Sequence, residues 1–170
     1  MTGKAVSLNI AVLTVSDTRS IEEDSSGATL AELLEGAGHR LAERRLVTDD
    51  IYAVRAEVSR WIADAEIDCI LTTGGTGITG RDGTPEAIAP LLDKEISGFG
   101  ELFRHLSYEE IGTSSLQSRA LSGVANRTFI FVLPGSRNAC HTAWTRIIEA
   151  QLDARTRPCN LTMLMPRLKE

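Results

Sequence analysis

The stretch LTTGGTGITGRDGTPEAI, Leu71–Ile88, concentrates the groups that could do chemistry. Its glycines let the main chain approach a ligand closely and aim successive N–H groups inward as an anion-binding nest. Thr73, Thr76 and Thr84 add hydroxyl donors, and Asp82 adds a carboxylate. A carboxylate cannot bind phosphate directly. It could hold a magnesium ion that does, because Mg²⁺ takes one or two carboxylates together with phosphate oxygens and water. The chemistry suggested is the handling of a phosphorylated small molecule. The plainer alternative is a turn between strand and helix, with Asp82 as an incidental cap.

Two familiar phosphate motifs can be set against this loop. Gly75-x-Gly77-x-x-Gly80 satisfies the dinucleotide fingerprint letter by letter. That motif needs a helix to open at its third glycine, within the first βαβ unit. Here Arg81, Asp82, Gly83 and Thr84 intervene, and the loop follows the third strand of the chain. Thr84 is expected to cap the next helix, with Pro85 as its first residue. The phosphate-loop pattern GxxxxGK[ST] fails as well, since Arg81 and Asp82 stand where Lys and Ser/Thr are required. What remains is a ligand loop over 74–84, longer and richer in Thr and Asp than a generic turn.

The elements that must position this loop alternate along the chain. LNIAVLTVS (Leu8–Ser16) is almost continuously apolar, as a strand buried on both faces would be. After the polar segment DTRSIEEDSSG, Leu30, Leu33, Leu34 and Ala37 fall on one helical face, stopped by Gly36 and Gly38. Arg40–Val47 reads as a strand near a sheet edge because of its charges. Ile51, Val54, Val58, Trp61, Ile62 and Ala65 predict an amphipathic helix. Asp68–Thr73 is a short strand. PEAIAPLLDKEI and GFGELFRHLSYEEIG read as helices with a break at Gly98. Val124–Phe129 reads as a hairpin turning at Asn126–Arg127, and Thr128–Leu133 as a core strand. Beyond Pro134, Gly135 and Ser136, a helix carries Cys140, Ala143, Trp144, Ile147 and Ile148 on one stripe. The tail from Asp153 has no period and is expected to pack as an extended arm or fray. The alternation predicts one α/β domain over residues 1–170, a three-layer α/β/α arrangement with a mostly parallel sheet. Ligands of such sheets sit at the carboxyl ends of the strands. The loops after Val15, Thr73 and Leu133 leave those ends.

Composition narrows the partners. The 170 residues carry a net charge of −5 and no basic run, which argues against nucleic acid and for a small molecule. No apolar run approaches the ~18 residues of a membrane span, and the N-terminus reads as a strand and not as a signal peptide. Cys69, Cys140 and Cys159 are scattered and expected to be reduced structural thiols of a cytoplasmic protein. His39, His105 and His141 offer no metal-ligand spacing. Arg81, Arg104, Arg119 and Arg137 could counter phosphate charge, though each also reads as a solvated surface arginine. Trp61 and Trp144 lie on core stripes.

The loop Leu71–Ile88, followed by DKEISGFGELFR and LPGS, resembles the MoaB/MogA family of molybdenum cofactor biosynthesis proteins. SYEEIGTSSLQSRALSGVAN and IIEAQLDARTRPCN look most like its MoaB branch. The likeness runs from about Leu8 to Asn160 and implies a three-layer α/β fold assembled as trimers or hexamers. It also implies binding of molybdopterin, a pterin dithiolene with a terminal phosphate. Active members join molybdopterin and Mg-ATP into adenylyl-molybdopterin, with release of pyrophosphate. On this likeness the N–H groups of Gly74, Gly75, Thr76 and Gly77 would hold a phosphate, and Asp82 a Mg²⁺ ion. The family's second acidic residue falls on Asp49 of LVTDDIY. Either Asp49 or Asp50 is expected to cap the helix that follows, leaving the other free. Asp49 and Asp82 are thus the catalytic and metal-binding candidates. Ser16, Asp17, Pro134, Gly135 and Ser136 lie where a pterin or phosphate could dock. A non-catalytic pterin-binding protein is the alternative function, and an oligomeric scaffold of this fold a third.

Overall fold

The computed structural model describes residues 4–168. Strand β1 (Asn9–Val15) is followed by helix α1 (Ser25–Gly36), β2 (Arg40–Val47), α2 (Ile51–Ala63), β3 (Cys69–Thr73) and the short α3 (Thr84–Ile88). Next come β4 (Lys94–Glu95), α4 (Ser97–Ile111), β5 (Leu121–Ala125) and β6 (Thr128–Leu133). A closing helical run comprises α5 (Arg137–Ala143), a wider π segment (Trp144–Ile148) and α6 (Glu149–Leu152). The sheet order is β2-β1-β3-β6-β5-β4, with the first four strands parallel and β5 and β4 added antiparallel.

The unbroken apolar character of β1 has a direct cause. Ile10 and Val12 enter one core, with α1, α4 and the closing helix, while Ala11, Leu13 and Val15 enter a second core under α2 and α3. Two cores on two sheet faces make the three layers that the sequence predicts. Its charged residues put β2 at an edge, where it pairs with β1 alone. The hairpin also forms as expected: Asn126 and Arg127 have φ of 44° and 73°, the left-handed pair of a two-residue turn that suits strand twist. Trp61 and Trp144 are buried packing residues. No helix among the described residues is long and apolar enough to cross a membrane.

Several expectations are corrected. Thr84 is not the cap of α3; it is the first helical residue, after Gly83, and its hydroxyl faces the glycine loop instead. The helix predicted over PEAIAPLLDKEI ends in a turn of tighter helix at Ala89–Leu91. Lys94 and Glu95 then pair with Val124 and Gly123 as β4. The break therefore precedes Gly98, which lies within α4. Ala65 falls beyond α2, which stops at Ala63. The tail neither frays nor runs as an extended arm throughout: Thr162–Arg167 forms a short 3₁₀ helix, and Leu161, Met165 and Leu168 pack on the first core.

Candidate active site

Thr14 of β1 is level with Thr73 of β3, and Thr73 with Leu133 of β6. The three loops that follow these strands therefore emerge side by side. The chain leaves β1 for β2 on one side, and β3 lies on the other, so the β1/β3 boundary is the topological switch point of the sheet. A cleft of about 260 Å³ opens there, lined by Ser16, Asp17, Arg19, Asp49, Thr73, Gly74, Gly75, Asp82 and Gly135, among others. Two other clefts have the same volume. One lies at the opposite end of the sheet, around Asp68 and Arg127, and the other is an apolar groove around Phe99, Leu102 and Ile147. Volume does not separate the three. Strand polarity favours the first, which opens at the carboxyl ends of β1, β3 and β6.

Two glycines build the floor of this cleft. Gly74 has φ of 102°, and a Cβ there would lie 2.2 Å from the Val15 carbonyl oxygen. Gly75 has φ of 67°, and its Cβ would lie 2.2 Å from Thr84 Oγ1 and 3.1 Å from both Asp49 oxygens. Only glycine admits this backbone and this approach. The nest is smaller than the sequence suggests. Gly74 N–H donates to Leu133 O at 3.1 Å, and Gly77 N–H is directed at Asp82. Among the described residues, no hydrogen bond takes up the N–H groups of Gly75 and Thr76. The hydroxyls of Thr73 and Thr84 are not free donors either. Thr73 donates to Pro134 O at 2.9 Å, and Thr84 to Gly74 O at 2.9 Å. Thr73 ties the end of β3 to the loop after β6, and Thr84 closes the glycine turn onto the start of α3, so that both carbonyls have a partner. Arg119, just before β5, braces the loop from outside by donating to the carbonyls of Thr76, Gly77 and Asp82.

The two aspartates after β2 divide their roles as the sequence requires. Asp50 caps α2, accepting from Tyr52 and Ala53 N–H at 2.9 Å each. Asp49 is left to face the loop, with Gly83 N–H at 3.4 Å. Burial pushes the Asp49 carboxyl above its ordinary range, and the neighbouring Asp82 and Asp17 add to this, against the Gly83 N–H. Asp82 is held below the ordinary range by the Thr79 hydroxyl, against some desolvation, and by the N–H groups of Thr79 and Gly77. Asp17 is lowered by Arg81, which grips it with two bonds of 2.9 Å, and by Asp49 N–H. Asp17 thus lines the cleft while its charge is already met.

Among the described residues, no group of three or more His, Cys, Asp or Glu side chains forms a ready metal cage. Asp49 and Asp82 both line the cleft and are the residues that could hold a magnesium ion, which takes one or two carboxylates together with phosphate oxygens and water.

Ser16 Oγ accepts from Thr18 and Arg19 N–H and shapes the first loop. Ser136 caps α5 through Ala139 N–H. Pro134 contributes its carbonyl to Thr73, as above. Arg104 is spent on the carbonyls of Ser118 and Ala120, and Arg137 is exposed. The three cysteines are free thiols; burial raises Cys69, and pushes Cys140 up to about 11 despite a bond to Thr73.

Sequence reasoning missed the network beneath the first loop. Asp24, 1% exposed, caps α1 through Gly27 N–H at 2.9 Å and accepts from the Thr14 hydroxyl at 2.6 Å, the Ser26 hydroxyl at 3.2 Å and Arg44 at 3.0 Å. Arg19 stands above it in the cleft wall. The one available signal was an Asp followed by Ser-Ser-Gly before an apolar helix, an N-terminal cap pattern.

The fold and site together define an α/β protein with a carboxylate-bearing polar cleft at the switch point of a mostly parallel sheet. Residues 11–154 match the family described as probable molybdopterin binding domain. The chain is 55% identical over 161 residues to molybdenum cofactor biosynthesis protein B of Escherichia coli (strain K12), covering 95% of this chain and 93% of that protein. A crystal structure of a molybdenum cofactor biosynthesis protein B superposes with a TM-score of 0.88 at 40% identity, over 98% of this chain and 99% of that one. The tungsten cofactor synthesizing protein MoaB from Pyrococcus furiosus superposes at 0.80 with 35% identity, over 96% and 98% of the two chains. The chain belongs to the MoaB/MogA family of molybdenum cofactor biosynthesis proteins.

Proposed function

We propose that this protein acts in molybdenum cofactor biosynthesis by binding molybdopterin and adenylylating it with Mg-ATP. The observation that carries this reading is the meeting of Asp49 and Asp82 across the Gly75–Gly77 turn, at the switch point of the sheet. The naming of one similar protein for molybdenum and another for tungsten fits a role at the pterin common to both.

In the reaction, a phosphate oxygen of molybdopterin attacks the α-phosphorus of ATP. The bond from that phosphorus to the bridging oxygen breaks, and pyrophosphate leaves. Two anions must be brought together, so positioning and charge neutralisation carry the rate. The free N–H groups of Gly75 and Thr76 are donors for one phosphate. Asp49 and Asp82 would hold the magnesium ion, which supplies neutralisation of phosphate charge when bound. Arg119 and Thr84 keep the loop in the shape that aims these groups. Exposed Leu102, Tyr108, Ile111 and Leu116 support association of copies into a trimer or hexamer, which native mass measurement tests.

The test combines protein, molybdopterin, ATP and Mg²⁺ and follows adenylyl-molybdopterin. Asp82→Asn should lower turnover about 100-fold or more, as loss of a positioned charge at a transition state does, with the fold intact. Turnover unchanged in that variant removes the metal role. One observation favours the second reading, a pterin-binding protein without transferase activity: Asp82 Oδ2 is already engaged by Thr79. Calorimetry separates the two, since pterin binding with no Mg-ATP binding selects the second.

A further inference from the structure

We infer that Arg19 receives a phosphoryl oxygen of the bound ligand and so reads the phosphate end of the substrate. The inference rests on the proposed reading that this cleft takes a phosphorylated ligand.

The arginines near the cleft differ in what they already hold. Arg81 is committed to Asp17, Arg119 to Glu86 and three loop carbonyls, and Arg44 to the buried Asp24. Arg19 makes no ion pair among the described residues. Its Nη1 reaches Ser26 Oγ at 3.4 Å and Gly135 O at 3.3 Å, and among the described residues no other hydrogen bond engages the guanidinium. Both contacts are long and both acceptors are neutral. They orient the guanidinium without cancelling its charge.

Ser26 is a directed acceptor for a structural reason. Its side chain is fully buried, and its single hydroxyl proton goes to Asp24 Oδ1. Only the lone pairs are left to face Arg19. The charge of Asp24 is met in turn by Thr14, Gly27 and Arg44, so it is not the counter-ion of Arg19. Gly135, in the loop after β6 and 116 residues away in the chain, holds the guanidinium through its carbonyl. The cleft is consequently bipolar, with Asp49 and Asp82 on the side of β2 and β3 and an uncompensated guanidinium on the side of α1 and β6. A phosphoryl group between a cation held by the acids and the fork of Arg19 meets positive charge from both directions.

The phosphate could be that of the nucleotide or that of the pterin, and paired titrations distinguish them. Calorimetry compares the wild type, Arg19→Gln and Arg19→Lys with Mg-ATP against adenosine, and with molybdopterin against its dephosphorylated form. Arg19 is exposed, so the variants should keep the fold, checked by unchanged circular dichroism. Arg19→Gln is expected to weaken one phosphate-bearing probe about 10- to 100-fold, the scale of a charge-assisted hydrogen bond, and to spare its phosphate-free counterpart. The probe affected identifies the phosphate. Arg19→Lys should retain part of the affinity, keeping charge without the fork. Phosphate-bearing probes bound within twofold of wild type overturn the inference. So does equal weakening of both members of a pair, or a wild type that binds neither phosphate. No turnover is needed in these assays. Arg19-dependent binding without adenylyl transfer sinks the transferase reading alone, whereas transfer indifferent to Arg19 sinks this inference alone.

Discussion

Truncating Asp24 to alanine should be among the most damaging single changes near the cleft. Four donors converge on this carboxylate: the hydroxyls of Thr14 and Ser26, Gly27 N–H and Arg44 Nη2. Its side chain is 0% exposed, whereas that of Arg44 is 23% exposed. Removing one partner of a buried pair typically costs about 3–5 kcal/mol. Arg44 keeps some water and the carbonyls of Ile21 and Asp24, which puts the ion-pair loss at the lower end. Loss of the α1 cap adds about 1 kcal/mol. We therefore expect a destabilisation of about 3–4 kcal/mol. With a urea slope near ~2 kcal/mol/M, the unfolding midpoint falls by roughly 1.5–2 M. Protein concentration must be held constant, because association would shift the midpoint by mass action. The pH dependence has a definite sign. Burial raises the Asp24 carboxyl, but its hydrogen bonds and Arg44 outweigh this and hold it below the ordinary 3.8. Its contribution is complete above that value and is lost as pH falls through the folded-state value, so wild type and variant should converge in acid. A double-mutant cycle of Asp24→Asn with Arg44→Met should give a coupling above about 1 kcal/mol. A midpoint shift under about 0.3 M, a gap that persists undiminished in acid, or additive mutants would refute this account.

Other perturbations follow from the same geometry. Asp49 is raised by burial and by like charge from Asp82 and Asp17, so its ionised form opposes folding above its folded-state pKa. Asp49→Asn should hence stabilise the apo protein slightly at neutral pH, by less than about 1 kcal/mol given solvent screening, while abolishing Mg²⁺-dependent thermal stabilisation; a calorimetric scan with and without Mg²⁺ checks both. Gly74→Ala forces a Cβ onto Val15 O at φ of 102° and should cost at least ~2 kcal/mol, measured by urea unfolding, with ligand binding lost even where the fold survives. Arg119→Ala removes the brace on Thr76, Gly77 and Asp82; limited trypsin digestion should cut faster after Arg81, and a cleavage rate equal to wild type would show that the loop holds itself.

The chain's local patterns determined much of this protein. Strand and helix periods are properties of neighbouring residues, so β1, β3, β6, α2 and the Asn126–Arg127 turn were legible from the residues alone. So was the failure of Leu71–Ile88 to be a dinucleotide or phosphate loop, which depends on residue identities and on where the next helix opens. The alternative of Asp49 and Asp50, one capping and one free, followed from cap chemistry, and the structure assigned the cap to Asp50. Tertiary structure decided what depends on partners far along the chain. It committed Gly74 N–H to Leu133, turned Thr73 and Thr84 into stitches, and made an edge strand of Lys94–Glu95, two exposed charged residues with no strand pattern of their own. It also buried Asp24 against Arg44 and placed Arg19, without an ion pair among the described residues, in the wall of the cleft that Asp49 and Asp82 line. Local sequence encodes which conformation a segment prefers. Which donor meets which acceptor across 10, 20 or 116 residues is settled only when the sheet aligns the ends of β1, β3 and β6.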